Sequence, residues 1–362
     1  MQSPLFQPLK AGSLTLPNRI IMAPLTRGRA TVDGVPTPMM TEYYAQRAGA
    51  GLLITEATPV SQRGYGWVQA PGIFNAVQVK GWQPVTAGVH QAGGRIFMQL
   101  WHMGRVTHPD FLGGQLPVAP SAIAAKGESR TPTGNKPYVT PHALTIDEIK
   151  TTIADYKAAA QRAKDAGFDG VEIHSANGYL LDQFLRDGSN KRTDAYGGTA
   201  ENRVRLLAQV TEAVISVWGA GRVGVRLSPR NAFNDMNDSD PMKTFGRAAE
   251  KLDSYGLAYL HTLEALPGHM MYAEGARVTP VIRKAFKGAL ITNGGYTKEL
   301  GEKALAAGEA DAIAYGVPFL ANPDLVERFK TGAPLNPPDY ATFYTHDAKG
   351  YTDYPALKSK AA

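Results

Sequence analysis

Eight short apolar strands alternate with eight helical stretches along this chain, and that alternation restricts the fold more than any other feature. Strand signals fall at 19–24, 52–57, 95–100, 170–174, 223–228, 258–262, 289–293 and 311–315. Helical patterns fall at 37–50, 77–92, 145–166, 200–218, 241–255, 279–286, 297–307 and 323–330, the third opening on a Thr145/Glu148 capping box. Strands separated by helices form a parallel sheet. Eight consecutive units predict an α/β fold closed into a (β/α)8 TIM barrel rather than an open sheet. Residues 8–16 read as a β-hairpin turning at Ala11-Gly12-Ser13, placed to cap the N-terminal end of the barrel. Residues 101–143 carry much Gly and Pro and little period, and read as a long capping insertion after strand 3. The chain, 1–362, is read as a single domain.

Composition narrows the function. With 362 residues, 43% of them hydrophobic, the chain can bury a large core. It has no cysteine, which excludes disulfides, thiolate metal sites and a cysteine nucleophile. Its first residues lack the basic start and apolar run of a signal peptide, and no apolar segment approaches the roughly 20 residues of a membrane span. A cytoplasmic protein with no membrane partner is expected. The net charge of +6 is scattered, so no nucleic-acid partner is expected either.

In barrels of this kind the chemistry sits at the C-terminal ends of the strands. No Lys ends a strand, which argues against a Schiff-base aldolase, and His-Glu-x-x-His is absent. Gly219-Ala-Gly221-Arg-Val-Gly224 matches GxGxxG, but it follows a helix and precedes a strand, the wrong order for a dinucleotide fingerprint. Strand 4 runs into His174-Ser-Ala-Asn177-Gly-Tyr179. Two donors aimed at one point can hold a carbonyl oxygen, and a nearby phenol can deliver a proton. Asn293-Gly294-Gly295 after strand 7 and Gly316-Val317 after strand 8 allow backbone N–H groups to approach an anion, where barrels commonly hold a phosphate. Gln99 and Arg226 suit a planar ring bearing carbonyls, an imide N–H and developing negative charge. Each signal also has a structural reading: a satisfied strand-end His, an Asn-Gly turn, ordinary glycine turns, an Arg226–Glu172 pair. Together they describe a flavin mononucleotide (FMN) site.

The motifs carry a resemblance. Asn18-Arg-Ile-Ile-Met-Ala-Pro-Leu-Thr-Arg27, Gln99-Leu-Trp-His-Met-Gly-Arg105, Phe168-Asp-Gly-Val-Glu-Ile-His174-Ser-Ala-Asn177-Gly-Tyr179, Arg192-Thr-Asp-x-Tyr-Gly-Gly198 and Gly350-Tyr-Thr-Asp-Tyr-Pro355 occur in the order seen in the old yellow enzyme family of FMN-dependent ene-reductases. The chain is similar to that family over nearly its whole length. The resemblance implies one FMN-binding barrel whose cofactor is lined by Pro24, Leu25, Thr26, Ala57, Gln99 and Arg226. Asn293, Gly294, Gly295, Gly316 and Val317 would meet the phosphate side. It implies a ping-pong reaction: NADPH or NADH reduces the flavin, which then passes hydride from N5 to the β-carbon of a small electrophilic alkene. His174 and Asn177 would grip the substrate carbonyl, Tyr179 would protonate the α-carbon, and Trp67, Trp101 and Tyr351 would shape the pocket. The chain would be a monomer or homodimer. One departure stands out: the family usually carries Arg where this chain has Val317, so either FMN is held less tightly here or another cation such as Arg277 or Lys298 compensates. Two alternatives remain at this level: a metal-dependent barrel hydrolase using His102, Glu172 and His174, and a flavin-binding protein without turnover.

Overall fold

The computed structural model describes residues 3–357. Two strands, β1 (Leu9–Ala11) and β2 (Leu14–Leu16), form the expected hairpin, and then the barrel begins with β3 (Ile20–Met22), α1 (Pro38–Gln46), β4 (Leu52–Pro59), α2 (Ala76–Gln91) and β5 (Ile96–Trp101). The insertion carries β6 (Val118–Ala119), β7 (Glu128–Thr131), β8 (Gly134–Pro137) and β9 (His142–Ala143) before α3 (Ile146–Asp165). There follow β10 (Gly170–Ser175), α4 (Leu180–Leu185), α5 (Ala200–Trp218), β11 (Val223–Leu227), α6 (Pro241–Asp253), β12 (Tyr259–Leu263), α7 (Thr279–Ala285), β13 (Leu290–Asn293), α8 (Lys298–Ala306), β14 (Ala312–Tyr315), α9 (Val317–Ala321) and α10 (Leu325–Thr331). Eight of the strands close into a parallel barrel in the order β10-β11-β12-β13-β14-β3-β4-β5. The TIM barrel read from the alternation is therefore the observed fold.

Register divides the barrel interior into two layers. Side chains at i and i+2 of a strand share a face, so the pairings place Ile21, Leu52, Ile54, Phe97, Tyr259, Ile291 and Ala312 on the inner face near the strand starts. These residues form one buried cluster with Leu9, Ala11, Leu14 and Leu16 of the hairpin. Burying each large apolar side chain contributes about 1.5–3 kcal/mol. The hairpin turn seats directly on the barrel, with Ser13 N donating to Gly221 O at 3.0 Å. Gly12 there has φ +55°, and a Cβ on it would lie 2.4 Å from Gly221 O, so no larger residue fits without displacing the plug.

Other local expectations met particular outcomes. Thr145 and Glu148 form the capping box, with Glu148 Oε2 accepting from Thr145 N at 2.8 Å and Thr145 Oγ1 from Glu148 N at 3.3 Å. Gly219 ends α5 at φ +73°, and the GxGxxG match is indeed a helix stop leading into β11. The insertion, read as irregular, contains an antiparallel hairpin, β7–β8, and a parallel β6–β9 pair. α4 was not foreseen, because all six of its residues are buried and an all-round buried segment has no amphipathic period.

Candidate active site

The second interior layer is polar. One pleat beyond the apolar floor, the registers align Gln99 with Glu172, His174 with Arg226, and Arg226 with His261. Gln99 Nε2 donates to Glu172 Oε1 at 2.7 Å, and His261 Nδ1 lies 2.9 Å from Glu172 Oε2. Arg226 Nη2 donates to Asn293 Oδ1 at 2.8 Å, while Asn293 Nδ2 donates to Ala314 O at 2.7 Å. The anticipated Arg226–Glu172 pair does not form among the described residues: the Glu172 oxygens accept from Gln99 and His261, and Arg226 Nη2 is turned to Asn293.

Above this layer stands the 174–179 turn. Asn177 adopts φ +58°, a left-handed conformation that Asn tolerates. Ser228 Oγ accepts from Asn177 N at 2.7 Å, and Asn234 Nδ2 donates to Asn177 O at 2.8 Å. Asn231 Nδ2 donates to Asn177 Oδ1 at 2.8 Å, which occupies the acceptor end of the Asn177 amide and leaves its N–H₂ end as the free one. His174 is buried, and its Nδ1 has no partner. Burial, reinforced by the nearby Arg226 and His261, holds the His174 pKa well below its ordinary value, so the ring is neutral at pH 7. The Tyr179 ring packs edge-on to both His174 and Trp101, with centroids 4.9 Å away in each case. Burial, with help from Tyr138 and Tyr344, pushes the Tyr179 phenol above its ordinary value and keeps it protonated.

The remaining sequence candidates collect around the same end. Pro24, Leu25 and Thr26 follow directly on β3, and Ala57 pairs with Gln99 at a register shift in β4. A Cβ on Gly316 would stand 3.3 Å from Leu25 Cδ1, so the β14 and β3 ends converge. Gly294 and Gly295 follow Asn293 at φ +117° and +84°, and a Cβ on Gly294 would collide with Ala265 Cα at 2.7 Å. Val317 opens α9. Arg226 Nε is buried without a partner, like His174 Nδ1, so the layer presents buried polar atoms that the protein itself does not satisfy. A planar, hydrogen-bonding cofactor fits this donor set.

A family model described as the NADH:flavin oxidoreductase / NADH oxidase family matches residues 4–336. The chain belongs to that family. Among solved structures, an old yellow enzyme homologue from Zymomonas mobilis superimposes with a TM-score of 0.96 at 51% identity, covering 98% of this chain and 99% of that one. Morphinone reductase in complex with tetrahydroNAD superimposes with a TM-score of 0.93 at 48% identity, covering 99% of each chain. A probable flavin mononucleotide-dependent alkene reductase from Leishmania infantum is 45% identical over 98% of this chain and 97% of its own length. The likeness to the old yellow enzymes thus holds along the whole flavin oxidoreductase fold.

Within that family fold, one site expectation is overturned. Tyr351 does not line the pocket. It is 0% exposed, its ring stacks on Tyr43 at 4.0 Å, and Arg27 and Arg29 lie over it at 5.1 and 4.7 Å. There it clamps the C-terminal segment to the barrel, together with Arg27 and Arg29, which donate to the carbonyls of Phe343 and Gly350 and of Thr342 and Phe343. Tyr344, in the same segment, is instead 45% exposed and packs on Trp67 at 5.4 Å. Both tyrosines lie in one short segment, and spacing alone does not tell them apart. Arg277 is also committed elsewhere, to Tyr296 Oη at 3.2 Å, Glu309 at 3.4 Å and Glu264 at 3.8 Å, so it does not stand free in place of the Arg missing at 317.

Several contributors escaped the sequence reading. His261 shares the inward parity of Tyr259 and was legible from period two, whereas Thr262, the next residue of β12, turns outward and donates to Ile291 O. Asn231 and Tyr138 sit in loops, where no period marks them. Tyr138 comes from the insertion and lines, with Trp67, Phe233 and Tyr179, a cleft of about 360 Å³. The insertion does cap the site. As for a metal centre, Gly104 N donates to His102 Nδ1 at 3.1 Å and Glu172 is fully engaged; among the described residues no three of His, Cys, Asp or Glu converge on a metal-sized site.

Proposed function

We propose that the chain is an FMN-dependent, NAD(P)H-oxidising ene-reductase that reduces the C=C bond of α,β-unsaturated carbonyl or nitro compounds. The observation that carries this reading is the convergence, in a flavin oxidoreductase barrel, of unpaired buried donors at Arg226 and His174 with a fixed Asn177 amide and a protonated Tyr179. When bound, FMN would supply the hydride chemistry that links NAD(P)H to the alkene β-carbon.

The chain's own residues do the rest. Gln99, Arg226 and Thr26 meet the polar edge of the cofactor, and Pro24, Leu25 and Ala57 line its apolar part. Asn293, Gly294, Gly295, Gly316 and Val317 border its phosphate side through the backbone. His174, neutral, and Asn177 donate to the substrate oxygen, where negative charge develops; donors held in place before reaction contribute more than ones that must reorganise. Tyr179 hands its proton to the α-carbon. Trp101 holds the rings of His174 and Tyr179, and Trp67 and Tyr344 wall the opening. The same donors receive the nicotinamide amide in the other half-reaction, which makes the two half-reactions alternate. Residues 1–362 act as one domain, as monomer or homodimer, and the working place is the cytoplasm. Among the described residues no helix is long and apolar enough to cross a membrane.

An anaerobic visible spectrum tests the reading. The flavin band of the purified protein is expected to bleach on NADPH or NADH and to return on 2-cyclohexenone. A protein that takes up no FMN overturns the cofactor assignment; a band that no nicotinamide bleaches leaves a flavin-binding protein without turnover.

A further inference from the structure

We propose that Glu172 is a positioning residue for the cofactor site: it locks the Gln99 amide in one orientation and counterbalances Arg226, and so sets the relative affinity for oxidised and reduced flavin. The inference rests on the FMN reading above. A glutamine amide has a donor end and an acceptor end. Here one of the two Nε2 hydrogens is held by Glu172 Oε1 at 2.7 Å, which turns the Nε2 end toward the carboxylate and leaves Gln99 Oε1 to face a ligand, as an acceptor for an N–H group such as an imide. The Gln99 backbone is pinned as well, its N donating to Thr55 Oγ1 at 3.0 Å.

Glu172 is itself held. His261 Nδ1 donates to its Oε2 at 2.9 Å, and Gln99, Glu172 and His261 are each no more than 1% exposed. That bond puts the His261 hydrogen on Nδ1, while Nε2 is buried without a partner. A neutral ring leaves only a lone pair there; an imidazolium would add a buried, unpaired N–H in a layer that already holds Arg226. Burial works to raise the Glu172 pKa, but His261, Arg226 and Gln99 outweigh it and hold the carboxyl below its ordinary value. The layer therefore carries one fixed negative charge and one fixed positive charge. Arg226 stands two residues beyond Gly224, the register partner of Glu172. Removing the carboxylate charge leaves Arg226 uncompensated, which favours the more negative, reduced form of the ligand.

Two variants separate the roles. In Glu172→Gln the new amide oxygen still accepts from Gln99. Oxidised FMN, measured by release from the holoprotein on dilution, is expected to bind within about threefold of wild type. The reduced form should gain about tenfold relative to the oxidised form, which a dye-coupled redox titration reads as a rise of about 30 mV for a two-electron couple. In Glu172→Leu the Gln99 amide loses its anchor, and oxidised FMN should be released about tenfold more readily, with the far-UV circular dichroism unchanged. A Glu172→Gln protein whose reduced-to-oxidised affinity ratio is unchanged or lower overturns the inference, and that ratio decides alone if the Leu variant does not fold. A Leu variant that folds and keeps wild-type FMN affinity overturns the orientation role. Wild-type protein that binds no FMN overturns the proposed function, and this inference with it.

Discussion

The two ends of the barrel are built from the same strands and do opposite things. Near the strand starts the interior is apolar and sealed: Ile21, Leu52, Ile54, Phe97, Tyr259 and Ile291 meet the hairpin, and Tyr259 lies over Phe97 at 5.9 Å. Two residues further along β5, β12 and β13 come Gln99, His261 and Asn293, and buried atoms without partners appear at His174 Nδ1, Arg226 Nε and His261 Nε2. Leaving a buried polar group unpaired costs about 1–3 kcal/mol, and burying each large apolar side chain below contributes about as much. The difference teaches that the pleat separates the two tasks. One layer stabilises and the next holds several unsatisfied polar atoms, a single side-chain step apart; Tyr259 Oη, buried without a partner, is where the floor departs from that division.

That contrast can be broken or sharpened. The largest effect is expected from removing both oxygen donors: His174→Ala with Asn177→Ala should slow alkene reduction by at least about 10²–10³ and weaken binding of phenols, with thermal stability nearly unchanged. Stopped-flow oxidation of the reduced protein by 2-cyclohexenone measures it, and a matching loss of stability would mean that the upper layer also holds the fold. Tyr179→Phe should slow the same half-reaction by about 10², the lower end for loss of a general acid, and leave reduction by NAD(P)H within about twofold; equal losses in both half-reactions would remove Tyr179 from the proton-donor role. Phe97→Ala, in the floor, should do the reverse. It should cost about 3–5 kcal/mol in urea denaturation and leave the flavin spectrum as it was. Val317→Arg, at the upper rim, should tighten FMN by up to about 1.5–3 kcal/mol by adding a charge-assisted phosphate contact, and an unchanged FMN dissociation constant would show that the backbone alone suffices.

A further effect concerns pH. Burial holds His174 and His261 below their ordinary pKa, and burial with Arg63 nearby brings His102 down to about 3. The unfolded chain therefore takes up protons on these residues that the folded chain does not. Their contribution is full above about pH 6.5 and is lost as pH falls below it, by up to about 1.4 kcal/mol per pH unit for each residue. Midpoints of urea denaturation between pH 7 and pH 5 test this, and His102→Asn should flatten the slope.

Much of this was legible in advance because parallel barrel strands are continuous apolar runs with turns at both ends. Strand 4, read as 170–174, is Gly170–Ser175, and strand 5, read as 223–228, is Val223–Leu227. The His174, Asn177 and Tyr179 cluster was legible because one strand and its loop carry all three. What was not legible depends on contacts between distant segments. The choice between Tyr344 and Tyr351 depends on whether Arg27 and Arg29 or Trp67 reaches the ring. In the insertion's hairpin β7 does alternate, but its buried residues are the polar Ser129 and Thr131 and β8 buries none, so no apolar period marks it.

The amino-acid sequence by itself therefore determined the barrel, the end of it where the polar side chains gather, and the residue types available there. Period and punctuation are local properties, and local energies suffice to write them. Only the tertiary structure decided which end of each amide is free: Asn231 from the loop after β11 orients Asn177, and Glu172 from the neighbouring strand orients Gln99. An amide's orientation is set by the partner that takes one of its ends, and in both cases that partner stands more than fifty residues away along the chain.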